Sequence, residues 1–199
     1  VTWLACARLG AAIVPLNTRY TAREISYALK TAGAGLAVAD EAFRTVFAES
    51  GSLPASRIVH HAAGGDSEWH RLVAASPPAT RFGPADGDTL VNLQFTSGST
   101  GNPKACMLPQ RYWIVLALAR AAQGPPIGRM LLDMPFHYMG GQWRFLMALW
   151  MGATVYVAPR PSLTGMIDRL IADDIDFCTV SPALAKADPD PRRDRLSLG

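Results

Sequence analysis

The sequence has little of what marks secreted, membrane-spanning or disulfide-stapled proteins. Its three cysteines, Cys6, Cys106 and Cys178, lie far apart. An odd number without a Cys-x-x-Cys spacing fits poorly with a disulfide framework. The longest apolar runs, such as residues 113–119, are well short of the ~20 residues that cross a bilayer. We therefore predict a cytoplasmic protein with reduced thiols and no membrane span.

Strong charge is also missing. Nineteen basic residues against sixteen acidic ones leave a formal charge of +3 over 199 residues. The one basic cluster, Arg192 to Arg195, follows a Pro/Asp-rich stretch and is typical of a solvated turn. Without a basic stripe we expect no nucleic-acid partner. A composition that is 49% hydrophobic and 18% charged predicts a globular chain with a sizeable core.

Short apolar runs rich in Val and Ile alternate with segments of helical spacing along the chain. One such segment starts at Thr21, a candidate N-cap that forms a capping box with Glu24, and another starts at the candidate cap Ser67. This alternation predicts an α/β fold with mostly parallel sheets and helices on both faces. A cluster of Pro, Gly and Asp at 76–88 predicts a long loop or a subdomain seam.

The loop at 93–108, LQFTSGSTGNPKACML, follows a predicted strand directly. Two of its residues, Gly98 and Gly101, let backbone N–H groups converge on an anion. Lys104, one of three lysines in a chain that otherwise uses arginine, adds a compact charge suited to phosphate oxygens. The hydroxyls that supply further donors are Thr96, Ser97, Ser99 and Thr100. The loop therefore predicts a phosphate site between a strand and a helix.

Two common phosphate motifs are excluded. Asn102 and Pro103 separate Gly101 from Lys104, so the loop does not fit Gly-x-x-x-x-Gly-Lys-Ser/Thr, and no Gly-x-Gly-x-x-Gly follows a strand. Residues 95–104 instead resemble, position by position, the signature of the adenylate-forming superfamily: an aromatic residue, then Thr-Ser-Gly, Ser or Thr, Thr-Gly-x-Pro-Lys. That superfamily includes acyl-CoA synthetases, nonribosomal-peptide adenylation domains and firefly-type luciferases. Its closing glycine is Ala105 here.

The resemblance extends over most of the chain and implies a two-step reaction. A carboxylate attacks the α-phosphorus of MgATP to give an acyl-adenylate and pyrophosphate, and the thiol of CoA then displaces AMP. Lys104 and Thr96 are the implied catalytic residues. The implied nucleotide contacts are Thr96, Ser97, Gly98, Ser99, Thr100, Gly101 and Lys104.

A second motif is found at 134–145, MPFHYMGGQWRF. Acyl-CoA ligases of the family commonly carry Pro-x-Phe-His followed by glycines here, where amino-acid-activating domains usually have Phe-Asp. His137 therefore favours a CoA ligase, and it is expected to be a wall or gate of the acyl pocket, because the attacking carboxylate is already ionised at neutral pH. Gly140 and Gly141 are the other implied substrate-binding residues. The remaining histidines have no companion ligands, and we assign no metal site.

The family's later motifs, which meet adenine, ribose and Mg²⁺ and form the small C-terminal domain, do not occur in the sequence. We expect residues 1–199 to be part of the large N-terminal AMP-binding domain of an acyl-CoA synthetase, and the isolated chain to be inactive. The alternatives are a nonribosomal-peptide-type adenylation domain and a non-catalytic nucleotide-binding remnant. The particular acid and the oligomeric state are open.

Overall fold

The structure is a computed structural model that describes residues 2–83, 86–96, 103–158 and 163–179. The chain divides into two compact units, Val1–Tyr112 and Trp113–Gly199. The seam predicted at 76–88 stays a prediction. No helix within the described ranges has both the length and the apolar character needed to cross a membrane.

Helices and strands alternate along most of the chain as the sequence predicts, except that α2 follows α1 and β4 follows β3. The helices are α1 (Thr2–Leu9), α2 (Ala22–Ala32), α3 (Arg44–Ser50), α4 (Glu68–Ala75), α5 (Gln110–Ala121), α6 (Met139–Met151) and α7 (Leu163–Ala172). The strands are β1 (Ala37–Asp40), β2 (Ile58–His61), β3 (Leu90–Thr96), β4 (Lys104–Pro109), β5 (Arg129–Leu132) and β6 (Thr154–Val157). Short 3-10 helices precede α3 and β2. The mixed α/β fold is thereby confirmed.

The first unit packs helices against a parallel pair of strands. β1 pairs with β2 in the register Ala37↔Ile58. The predicted capping box of α2 is present: the Thr21 side chain accepts from the Glu24 backbone N–H, and the Glu24 carboxylate accepts from the Thr21 backbone. The helix ends at Gly33, whose φ of 62° suits a residue without a Cβ. The buried core consists of Ile25, Leu29, Ala37, Ala39, Phe47 and Ile58.

The exit of the signature loop differs from the prediction. The sequence predicted that the loop leads from a strand into a helix, but residues 104–109 form β4, which runs antiparallel to β3. Helix α5 starts only at Gln110. The strand was missed because its sequence has no alternation of apolar and polar residues. Its exposure does not alternate either, since the neighbours Cys106 and Met107 are both exposed. It forms by pairing with β3, which is largely buried.

The second unit contains the parallel pair β5 and β6, in the register Arg129↔Thr154. Phe177 forms a single parallel bridge to Met130, and the Leu131 N–H donates to the Phe177 carbonyl at 2.9 Å. Helix α6 ends, as predicted, at Gly152, which has a φ of 69°. Buried apolar residues of this unit include Met130, Leu131, Met147, Ala148 and Leu170.

Helix α5 is less buried than its apolar sequence predicts. The almost wholly apolar sequence at 111–122 predicts a helix buried on most sides, but only Trp113 and Ala117 of this helix are buried. Ile114 is 46% exposed and Val115 63% exposed. The two buried residues are one turn apart, so a single stripe of the helix is covered by other described residues. The prediction of burial on most sides was wrong.

Candidate active site

Two predicted nucleotide contacts flank the signature loop. Thr96 is the last residue of β3 and lies opposite Lys104, the first residue of β4. The Thr96 hydroxyl donates to the Lys104 backbone carbonyl at 3.3 Å. The antiparallel pairing therefore brings the two ends of the loop together. The other predicted contacts, Ser97, Gly98, Ser99, Thr100 and Gly101, lie outside the described residues.

The Lys104 side chain is exposed. Within the part of the chain that the structure describes, no carboxylate forms an ion pair with its ammonium group. A lysine ammonium is a compact charge on a flexible stem. Among the described residues, no ion pair would keep the Lys104 ammonium group from an anion beside the loop.

A tyrosine that the sequence analysis did not single out holds both ends of the loop. The Tyr27 hydroxyl donates to the Pro103 carbonyl at 3.1 Å, and its ring lies edge-on to Phe95 with the centroids 6.3 Å apart. Phe95 precedes Thr96 and Pro103 precedes Lys104. The sequence signal for this contact is weak, because Tyr27 belongs to α2, 76 residues before Pro103.

The predicted substrate-binding residues lie between β5 and the start of α6. The His137 side chain is half-buried, and its ring is tilted against the Tyr138 ring with the centroids 4.3 Å apart. The first turn of α6 packs closely on the preceding backbone. A Cβ at Gly141 would lie 2.7 Å from the Pro135 carbonyl oxygen. Gly141 thus has a packing reason for lacking a side chain, and its substrate role stays a prediction.

A buried amide fixes the backbone beside His137. Gln142 is 0% exposed, and its Nε2 donates to the Phe136 carbonyl at 2.8 Å. Because a buried polar group must be hydrogen-bonded to avoid a desolvation cost, this bond fixes where the Phe136–His137 peptide lies. This contact of Gln142 was not predictable from the sequence, because one polar residue in an apolar helix does not indicate which group it binds.

Arg144, also on α6, is a buried cation. Its residue exposure is 7%, and its Nη1 lies 3.7 Å from Asp133 Oδ1. Burial lowers the pKa of the Arg144 guanidinium, against the opposing effect of Asp133. Burial also raises the pKa of the nearby Cys178 thiol, on which both charges act. Neither Arg144 nor Asp133 was predicted from the sequence to be part of the site.

The loop residues belong to the first unit, and His137 with its neighbours belongs to the second. Each set is brought together within its own unit. The described residues contain no group of three or more His, Cys, Asp or Glu side chains that could hold a metal ion.

The signature loop between β3 and β4 and the Pro-Phe-His segment before α6 carry the predicted site residues. The sequence matches the family described as AMP-binding enzymes over residues 1–187. The chain belongs to this family, whose members are adenylate-forming ligases.

Individual relatives agree. The chain is 32% identical over 190 residues to the fatty acid–[acyl-carrier-protein] ligase ScoC of Streptomyces coeruleorubidus, covering 91% of this chain and 36% of that protein. Among solved structures, the N-terminal domain of FACL13 from Mycobacterium tuberculosis matches with a TM-score of 0.78 at 23% identity, over 98% of this chain and 50% of that one. ATP-bound MatB from Rhodopseudomonas palustris matches with a TM-score of 0.73 at 22% identity, over 85% and 34%.

The sequence match supports the family, and the two structural matches show the fold. At 23% and 22% identity, the two structures show that the fold is shared. The chain spans about a third of the length of ScoC.

Proposed function

We propose that this chain is part of an ATP-dependent acyl-CoA synthetase that activates a carboxylic acid as an acyl-adenylate and passes the acyl group to CoA. One observation carries the proposal. The family's signature loop is held at its base by paired strands, with Thr96 and the exposed Lys104 at its two ends. A hydroxyl donor and an ammonium group placed beside such a loop suit the phosphate oxygens of ATP.

In the first step the carboxylate of the acid attacks the α-phosphorus of ATP, and the bond to the pyrophosphate oxygen breaks. Negative charge then builds up on the leaving pyrophosphate. Lys104 stabilises that charge as a point cation. The single O–H of Thr96 donates to the Lys104 carbonyl at the loop entrance, and it would turn to a phosphate oxygen when the nucleotide binds. The predicted contacts Ser97, Gly98, Ser99, Thr100 and Gly101 would supply further donors between them.

Mg²⁺ is part of the proposal as the metal that accompanies ATP. It would supply charge neutralisation on the phosphates. The described residues offer no set of metal ligands, so this stretch of chain contributes to the phosphates through Lys104 and the loop.

His137, Gly140 and Gly141 are proposed to line the acyl pocket. The half-buried His137 ring is tilted against the Tyr138 ring, and the Phe136 carbonyl beside it accepts a hydrogen bond from Gln142, which suits a fixed wall of a pocket. His137 needs no proton to transfer, because a carboxylic acid with a pKa near ~4 is ionised at neutral pH.

The acceptor thiol has one supported alternative. ScoC is named as a ligase that uses an acyl-carrier protein, and a phosphopantetheine thiol on a carrier protein is chemically like that of CoA. We propose CoA because Pro135, Phe136 and His137 resemble the Pro-x-Phe-His form common in CoA ligases, although here no residue separates the proline from the phenylalanine.

The test measures acid-dependent pyrophosphate release by the natural protein expressed from its complete reading frame. A panel of carboxylic acids is supplied with MgATP, and thioester formation is then followed with CoA or with a phosphopantetheinylated carrier protein. Pyrophosphate release followed by acyl-CoA supports the proposal. Transfer only to the carrier protein would replace CoA as acceptor, and the absence of acid-dependent pyrophosphate release would refute the adenylating function.

A further inference from the structure

Arg144 is buried without the partners that a buried guanidinium needs. Its side chain is 9% exposed. Its Nε and Nη1 atoms are fully buried, and none of the described residues gives either atom a hydrogen bond. The closest carboxylate oxygen, Asp133 Oδ1, is 3.7 Å from Nη1, which is beyond hydrogen-bond distance.

A purely structural ion pair would look different. Buried arginine–carboxylate pairs offset the cost of desolvation when they are short, bidentate and hydrogen-bonded. Here the separation is 3.7 Å, and both facing atoms, Arg144 Nη1 and Asp133 Oδ1, are buried without a hydrogen bond from the described residues. The cost of burying Arg144 is visible in its lowered pKa, of which burial is the largest cause. The pair with Asp133 therefore leaves Nε and Nη1 of Arg144 without a hydrogen-bond acceptor among the described residues.

The guanidinium lies beside the predicted acyl pocket. Arg144 is one helical turn after Gly140 on α6, and its Nη1 lies 3.7 Å from the point where a Cβ of Gly140 would be. It thus covers the glycine that the resemblance assigns to the substrate. Asp133 follows β5 directly, at the carboxyl end where ligands bind in parallel sheets.

A second unpaired group comes to the same end of the strands. Phe177 and Met130 form a parallel bridge. Thr179 and Asp133 therefore both lie beyond that bridge, toward the carboxyl ends of the two segments. The Thr179 hydroxyl is buried, and no residue in the described ranges hydrogen-bonds it. The neighbouring Cys178 packs against the buried cluster that contains Leu131, two residues before Asp133.

We propose that Arg144 forms a subsite that binds a neutral oxygen acceptor, a ketone or hydroxyl, on the tail of the acid substrate; the inference rests on the proposed function. A guanidinium has only donors to offer, so the group that satisfies Nε and Nη1 must be an acceptor. An unbroken hydrocarbon tail would leave those donors unpaired. A second carboxylate would face the charge of Asp133. Keto and hydroxy acids are therefore preferred over plain fatty acids and over dicarboxylic acids.

The experiment compares three acids of equal length in the natural protein: a plain fatty acid, its keto analogue and its dicarboxylic analogue. The measured quantity is kcat/KM for acid-dependent pyrophosphate release. The expected result is that the keto acid exceeds the plain acid by about tenfold or more, since a site built to hydrogen-bond a substrate oxygen rejects the analogue that lacks it. In Arg144→Met that ratio should fall to about one.

Arg120→Met is the matched control. Arg120 lies over the same Trp143 ring as Arg144, at 5.5 Å compared with 5.1 Å, but it is exposed and bonded to Gln123. It should keep the wild-type ratio. Arg144→Lys, which keeps the charge and loses the fork, and Asp133→Asn/Arg144→Met, which leaves no single buried charge, serve if Arg144→Met does not fold; both should lose the keto preference.

The outcomes separate the two claims. A wild-type protein that releases pyrophosphate but treats keto and plain acids alike overturns the subsite and leaves the proposed function standing. A keto preference that survives in the Arg144 variants, or a preference for the dicarboxylic acid, also overturns it. A protein that releases no pyrophosphate with any acid refutes the proposed function, and the subsite with it.

Discussion

The hydroxyl of Tyr27 donates to the carbonyl of Pro103 at 3.1 Å, while its ring lies edge-on to Phe95 at 6.3 Å. One side chain of α2 therefore contacts the residue before Thr96 and the residue before Lys104. A phosphate loop is effective when its donors are already in place as charge develops. Tyr27 is in a position to fix the ends of the loop without touching the nucleotide.

We predict that Tyr27→Phe raises the KM for ATP several-fold in the natural protein and leaves the KM for the acid unchanged. The ring contact with Phe95 is kept, and one net hydrogen bond is lost, which lowers the free energy of unfolding by about 1 kcal/mol. Tyr156→Phe, which removes a hydroxyl from β6, is the control. Equal changes in the KM for ATP and for the acid would show that Tyr27 acts on overall stability and not on the loop.

Lys104→Ala should reduce the rate of pyrophosphate release by at least about a hundredfold, since removing one group that stabilises transition-state charge commonly has that effect. Its free energy of unfolding should change by less than about 0.5 kcal/mol, because the side chain is exposed. Lys30→Ala, in the last turn of α2, is the matched lysine control. A Lys104→Ala protein with wild-type pyrophosphate release would contradict the assigned role.

Alanine substitutions of the two glycines at the start of α6 should lower the free energy of unfolding by different amounts. Gly141→Ala should lower the free energy of unfolding by about 1–3 kcal/mol, because the new Cβ would lie 2.7 Å from the Pro135 carbonyl oxygen and 2.8 Å from the Met134 carbonyl oxygen. Gly140→Ala should be tolerated better, since its Cβ would meet the Met134 sulfur, at the flexible part of a side chain. Denaturant unfolding of both variants checks this, and equal stabilities would contradict it.

Local signals in the sequence were sufficient for most of the fold. The capping box of Thr21 and Glu24 and the cap at Ser67 are formed as predicted, because both depend on residues three apart. Strand β4 was not predictable in that way, because its partner β3 supplies what its own sequence lacks. The loop of the candidate site was identifiable from its letters, whereas Tyr27 and Arg144 were not, because their contacts join segments distant in sequence.

Thiol reactivity should follow burial. Cys106 is exposed on β4, whereas burial raises the pKa of both Cys6 and Cys178. The thiolate is the reactive form, so at pH 7.5 an alkylating reagent should label Cys106 first. Raising the pH should accelerate Cys6 and Cys178, whose raised pKa values leave less thiolate at neutral pH. Peptide mass spectrometry at timed intervals checks the order, and early labelling of Cys178 would contradict its burial.

The capping box of α2 should make stability depend on pH. Hydrogen bonds from the backbone and side chain of Thr21 lower the pKa of the Glu24 carboxyl from its usual 4.5. A group whose pKa is lower in the folded state stabilises the fold above its unfolded pKa and loses that contribution as the pH falls through the folded value. The difference in free energy of unfolding between wild type and Glu24→Gln should therefore be constant near pH 7 and shrink below pH 4.5. Thr21→Ala, which removes the partner and costs about 1 kcal/mol, should flatten this dependence, and an unchanged difference down to pH 3 would show that the carboxylate does not act through the box.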